Sequence, residues 1–196
     1  DIDSVDIRQW PEGLTADIRL APELLRTERV HRRALDGRTG CGLCGIEKLA
    51  DLQAPPDALP PGPAVTAEAI RAALDALPDH QTLNRETRSV HAAAWCRLDG
   101  SIVLVREDVG RHNALDKLAG ARLRQGEPED AGFVVMSSRC SFELVFKAAR
   151  MRAALLAAQS APTGRALDLA ARLHLPIAAA GPDGVMVFFT PASADE

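Results

Sequence analysis

The 196 residues predict an α/β fold, a mixed sheet with helices packed on it, and three observations carry that prediction. From His91 onward, short apolar runs of strand length alternate with segments of helical period. Thr66, Ser141 and Thr163 each stand where a hydroxyl can cap the helix that follows. Asp99-Gly100 and Gly181-Pro182-Asp183-Gly184 are turn signals between paired apolar runs.

The elements follow in order. Asp17-Ile18-Arg19-Leu20 alternates as a strand. Pro22 followed by Glu23–Arg29 reads as a short helix with proline near its first turn. Five prolines at 55, 56, 60, 61 and 63 make residues 53–63 an exposed connector. Thr66 caps a helix whose Ala69, Ile70, Ala73, Leu74 and Leu77 share one face, and Pro78 ends it. Val90–Leu98 and Ile102–Val105 form a hairpin about Asp99-Gly100, and a helix spans about Val109 to Leu123. Phe133–Met136 and Leu155–Ala158 are strands. Between them Ser141 caps a helix with Phe142, Val145, Phe146 and Ala149 inward. A helix from Thr163 to Leu173 and strands at Ile177–Ala180 and Val185–Thr190 complete the chain. The sequence therefore divides into an N-terminal segment, residues 1–63, and an α/β core, residues 64–196, read together as one domain.

Bulk properties remove several function classes. A net charge of −4 argues against a protein that grips a nucleic-acid backbone, while leaving room for a local basic pocket. No apolar run reaches membrane-spanning length. The first residue is Asp1, so the sequence is expected to begin inside a longer chain, with any targeting segment out of view. Four cysteines, irregular apart from one close pair, do not form a secreted disulfide framework and suggest a cytoplasmic setting.

That close pair carries the chemistry. Cys41-Gly42-Leu43-Cys44-Gly45, preceded by Gly37-Arg38-Thr39-Gly40, sets two thiols in a glycine-rich stretch with a cation beside them. Glycine lets the backbone turn and leaves sulfur uncovered, and Arg38 favours thiolate. The pair could ligate a metal, cycle through a disulfide or carry sulfur. A structural zinc site usually shows a second close ligand pair, and the sequence has none among Cys96, Cys140, His91 and His112. A thioredoxin-type pair stands at the start of a βαβ helix, whereas this one precedes a proline-rich connector.

Two polar stretches offer a binding site. Arg106–Lys117 runs Arg-Glu-Asp-Val-Gly-Arg-His-Asn-Ala-Leu-Asp-Lys between a strand and a helix. Such junctions put backbone N–H groups at the sheet edge, where phosphate-bearing ligands bind. The plainer account is a well-capped helix start with ion pairs such as Glu107 with Arg111. Ser137-Ser138-Arg139-Cys140-Ser141 repeats the pattern, with simple capping as its plain account. His91 alone reads equally as a core histidine satisfied by backbone.

Taken together, the cysteine stretch, Val90-His91-Ala92-Ala93-Ala94, the Arg106–Lys117 run, Ser138-Arg139 with Ser141–Val145, and Ser160-Ala161-Pro162-Thr163 resemble the formate dehydrogenase accessory proteins of the FdhD family. The likeness covers about residues 30 to 175 and implies a usually homodimeric sulfurtransferase with a cytidine-deaminase-like fold. Such a protein takes sulfur from a cysteine desulfurase and gives it to the bis-guanine-dinucleotide molybdenum cofactor of a formate dehydrogenase. By that resemblance Cys41 carries a persulfide and Cys44 assists. His91, Arg106, Glu107, His112, Asn113, Lys117, Arg139, Ser141 and Gly184 bind the cofactor, and the protein holds no metal of its own. Deaminase chemistry is not implied, because His91 is followed by Ala92-Ala93 without the glutamate of H-x-E, and no P-C-x-x-C follows.

The sequence departs from the family pattern in three places. Thr87 is followed by Arg88-Ser89 where the family has glycine after the threonine. The stretch Ala179-Ala180-Gly181-Pro182-Asp183-Gly184-Val185 lacks the arginines of the family's cofactor-contacting turn. The N-terminal part of the family's domain is expected to be missing. These departures leave a second possibility, a non-catalytic cofactor-binding chaperone or divergent paralogue.

Overall fold

A computed structural model describes residues 2–10, 13–21, 57–126, 131–181 and 184–189. The chain forms two compact units, Asp1–Gly37 and Arg38–Glu196. In the first, β1 (Ile2–Trp10) and β2 (Gly13–Leu20) make an antiparallel hairpin that includes the expected strand at Asp17–Leu20. Val5 pairs with Ile18 on one face, while Asp6 pairs with Asp17 and Arg8 with Thr15 on the other. Trp10 Nε1 donates to Thr15 Oγ1 at 3.0 Å. The helix expected at Glu23–Arg29 lies outside the described residues.

The second unit is a six-stranded sheet covered by helices on both faces. Its elements are α1 (Ala67–Ala76), a 3-10 turn at Leu77–His80, α2 (Thr82–Thr87), β3 (His91–Arg97), β4 (Ile102–Asp108) and α3 (Arg111–Arg124). Then come β5 (Gly132–Cys140), α4 (Phe142–Arg150), β6 (Leu156–Pro162), α5 (Gly164–Leu173), β7 (Ile177–Gly181) and β8 (Gly184–Phe189). The strand order is β4-β3-β5-β6-β7-β8. Strands β5, β6 and β7 run parallel, β3 is antiparallel to both its neighbours, and β8 is antiparallel to β7.

Helix α1 starts as expected, with Thr66 Oγ1 accepting from Ala69 N–H at 3.2 Å, a cap that contributes about 1 kcal/mol. It buries Ile70, Ala73 and Leu74, with Leu77, against Ala92, Ala94, Cys96, Phe133 and Val135. The opposite face packs Leu115 and Leu118 of α3, Leu144 and Val145 of α4, and Leu169 and Leu173 of α5 on Ala93, Trp95, Val134, Met136 and Leu156. Strand side chains alternate between these clusters, Ala92 and Ala94 to one, Ala93 and Trp95 to the other. The Arg122 guanidinium lies 3.4 Å from the Trp95 ring centroid.

Four boundaries differ from the sequence expectation. Strand β4 continues past Val105 to Asp108, because β3 keeps pairing with it through Ala93↔Arg106, Ala92↔Glu107 and His91↔Asp108. Strand β5 continues past Met136 to Cys140, paired there with β6 through Arg139↔Ser160 and Cys140↔Pro162. Helix α3 starts at Arg111, since Asp108 Oδ1 accepts from Gly110 N–H at 2.9 Å and turns the chain first. Strand β6 begins at Leu156 and runs on to Pro162 for the same reason as β5.

The β3–β4 turn depends on Gly100, which sits at φ +90°. A Cβ there would overlap the carbonyl oxygen of Ala69 in α1, so the position needs glycine for both backbone and space. Gly100→Ala is expected to destabilise the protein by more than about 1 kcal/mol, read as a lower urea midpoint with an unchanged slope.

Candidate functional site

The parallel strands deliver their polar ends to one place. Asp108 ends β4, Cys140 ends β5 and Pro162 ends β6, and α3, α4 and α5 start just beyond them. His91 opens the antiparallel β3 and pairs with Asp108, so it stands at the same edge. The carboxyl edge of an α/β sheet with three helix starts is where backbone N–H groups accumulate and anions bind.

Asp108 organises the first part of this edge. Its carboxylate accepts from Gly110 N–H at 2.9 Å, from Asn113 Nδ2 at 3.1 Å and from Lys117 Nζ at 2.5 Å. Burial alone would raise its pKa, but the bonds from Lys117, Gly110 and Asn113 outweigh that and hold the carboxyl below its usual range. Lys117 also donates to the Glu107 carbonyl at 3.1 Å. His112 Nδ1 lies 2.9 Å from Glu143 Oε2, which ties the start of α3 to the first turn of α4, with both side chains about four-fifths buried. Lys147 of α4 pairs with Asp116 of α3, a second tie one turn on.

His91 is half-buried, and burial followed by the nearby Arg111 charge lowers its pKa from 6.5. At neutral pH it is an uncharged imidazole. Ser137 Oγ accepts from Ala92 N–H at 2.8 Å, replacing a ladder bond where β5 leaves β3. Arg139, the penultimate residue of that strand, is exposed, and Ser138 Oγ donates to its carbonyl at 3.0 Å.

Two predicted site residues do other work. The Glu107 carboxylate accepts from the backbone N–H groups of Leu83 and Asn84, each at 2.8 Å, and from Thr82 Oγ1 at 3.4 Å. It caps α2, for which Gln81 provides no side-chain cap. This is the fate of the carboxylate that the sequence suggested would pair with Arg111. Arg106 donates from Nη1 to the Val105 carbonyl at 2.7 Å. Ser141 occupies the N-cap position of α4 with extended backbone, but its buried hydroxyl makes no capping bond, contrary to expectation. Gly184 is at the far end of the same edge, at φ +136°, with the Arg71 guanidinium of α1 against it.

Cys96 and Cys140 are buried in the two core layers. Burial, with the Asp99 charge adding to it at Cys96, pushes each thiol up to about 12. At neutral pH both stay protonated thiols, which takes them out of nucleophilic chemistry. Cys41 and Cys44 lie outside the described residues. Among the described residues no group of three or more His, Cys, Asp or Glu side chains is arranged to hold a metal ion. Glu143, Asp108 and Arg71 are the residues that sequence reasoning passed over. Glu143 was visible only as a carboxylate in a helix first turn; nothing local pairs it with His112 or brings Arg71 to Gly184.

Fold and site define a mixed α/β protein whose polar groups converge on one sheet edge. The FdhD/NarQ family model matches residues 1–194, and the chain belongs to that family. The sulfur carrier protein FdhD of Variovorax paradoxus is 46% identical over 168 residues, covering 86% of this chain. That of Cupriavidus necator is 43% identical over 178 residues, covering 91%, and that of Chromobacterium violaceum 48% over 170 residues, covering 85%. The chain spans about three-fifths of the length of these relatives, between 60% and 63%. The crystal structure of a formate dehydrogenase accessory protein from Desulfotalea psychrophila matches with a TM-score of 0.62 at 22% identity, over 97% of this chain and 70% of that one, a likeness of fold. No helix among the described residues is long and apolar enough to cross a membrane.

Two measurements test the assigned roles. Glu107→Ala removes the α2 cap and is expected to cost about 1–2 kcal/mol, with amide exchange accelerated at Leu83 and Asn84. NMR titration of His91 is expected to give a pKa below 6.5. The unfolded chain binds the proton more readily, so His91 contributes stability that is present above pH 6.5 and is lost as pH falls toward its folded pKa. A His91→Gln variant should lose that slope.

Proposed function

We propose that this chain is a sulfur carrier in formate dehydrogenase maturation, with Cys41 as the persulfide-bearing thiol and Cys44 as its partner. One structural observation carries the assignment to these two: burial raises Cys96 and Cys140 to about 12 and removes them from thiolate chemistry. Two cysteines remain, in a glycine-rich stretch beside Arg38. Further support comes from the sulfur carrier relatives at 43–48% identity.

Both chemical steps balance with these groups. The Cys41 thiolate attacks the outer sulfur of a persulfide on a cysteine desulfurase; that S–S bond breaks, the donor cysteine leaves as thiolate, and Cys41 gains the sulfur. The Cys44 thiolate then attacks Cys41 Sγ. A Cys41–Cys44 disulfide forms and the outer sulfur leaves as hydrosulfide, at the oxidation level of a metal sulfido ligand. The acceptor is the guanine-dinucleotide molybdenum cofactor, a polyanionic substrate held along the edge formed by His91, His112, Asn113, Lys117, Arg139, Ser141 and Gly184. Lys117, Gly110 N–H and Asn113 compensate the Asp108 carboxylate, so it opposes an anion at that edge less. The same resemblance supports, as proposals, a cytidine-deaminase-like fold, a homodimer and a cytoplasmic setting.

Loading with cysteine and a cysteine desulfurase, followed by peptide mass spectrometry, tests the carrier. One added sulfur atom is expected on Cys41, undiminished in Cys96→Ala and Cys140→Ala and absent in Cys41→Ala. Equal loading of Cys41→Ala overturns the assignment. A Cys41→Ala/Cys44→Ala variant that sustains formate dehydrogenase in cells would instead show a binding chaperone.

A further inference from the structure

The β7–β8 turn has no arginine of its own between Gly181 and Gly184, yet α1 brings one to it. A Cβ on Gly184 would overlap Arg71 Nη2 and stand 3.6 Å from Cζ and 3.9 Å from Nε, so the guanidinium fills, tip first, the space that glycine leaves. At φ +136° the backbone itself also favours glycine. Buried Ile70 and Leu74 anchor α1 on the sheet, while Arg71 between them stays exposed. Its charge is not spent within the described residues. Lys117 and Lys147 are taken by Asp108 and Asp116, whereas no described carboxylate pairs with Arg71.

We propose that Arg71 is a phosphate-binding residue, placed by Gly184, that extends the anion-binding edge to the β7–β8 end of the sheet. The inference rests on the substrate class named above, a ligand of the nucleoside diphosphate type. Three strand spacings separate β8 from β5, about 14 Å, so Arg71 and Arg139 do not grip one phosphate. They serve separate anionic groups of an extended ligand. Arginine suits the role because its planar fork offers paired donors to phosphate oxygens.

Calorimetry with GDP as probe, and with GMP and inorganic pyrophosphate as arms, tests the site on the full chain. GDP and pyrophosphate are expected to bind, GMP more weakly. Arg71→Ala should weaken GDP binding roughly tenfold to a hundredfold, the loss of one or two charge-assisted bonds, and Arg71→Lys by an intermediate factor. Gly184→Ala should reproduce the Arg71→Ala loss, and the double variant should lose no more than either single one. Far-UV circular dichroism and melting temperature of Arg71→Ala should match the parent, since the side chain is exposed. Absence of GDP binding to the parent, or parental affinity in Arg71→Ala, overturns the proposal. So does an Asp183→Asn variant that lowers the melting temperature together with Arg71→Ala while GDP binding stays parental, because the arginine would then serve the carboxylate that precedes Gly184 in the chain. Persulfide loading of Cys41 is read on the same Arg71→Ala protein and should be unchanged. Parental loading with parental GDP affinity removes only this site, and lost GDP affinity in a chain that never loads sulfur removes only the carrier role.

Discussion

Strand β5 sits between β3 and β6 with Phe133, Val134, Val135 and Met136 all fully buried, alternately against α1 and against α3 and α4. Each such side chain contributes roughly 1.5–3 kcal/mol on leaving water, and the rest of the unit is arranged around that burial. Because both faces of the sheet are covered, no polar side chain can stand on the central strands without a partner. Alanine fills much of the remaining strand surface, at Ala92–Ala94, Ala157–Ala158 and Ala178–Ala179, which brings both helical layers close to the sheet. Chemistry is thereby driven to the ends of the strands.

The same burial sorts the cysteines. Cys96 and Cys140 belong to the packing: one faces α1, the other closes β5 under α4, and the low-dielectric interior keeps both as thiols. A thiolate requires solvent, a cation or free N–H groups, none of which the core supplies. On the proposed role, sulfur exchange would fall to the other two cysteines, Cys41 and Cys44.

Much of the architecture was legible because local signals and packing agree. Thr66 and Thr163 accept bonds from Ala69 and Ala166 as their positions imply, and the stripe Ala69-Ile70-Ala73-Leu74 is buried as its period requires. Where the signal was polar it misled. Arg106–Asp108 and Ser137–Arg139 look like loops, because strand propensity is written in apolar alternation. Here the strands persist through ladder bonds to β3 and β6, which sequence does not display. Ser141 illustrates the converse: a favourable residue in the favourable place that makes no capping bond.

The run Arg106–Lys117 shows why a contiguous motif need not be a contiguous site. Within a strand, neighbouring side chains point to opposite faces. Glu107 therefore leaves Asp108 and caps α2, across the sheet from the helix that Asp108 starts. His112, in the first turn of α3, turns to Glu143 of the next helix, thirty-one positions along the chain. This one string thus answers at least three separate demands: fastening α2 to β4, starting α3, and joining α3 to α4. Half-buried His91 and exposed Arg139 carry none of these tasks, and Arg71 reaches the same edge from a helix no motif includes.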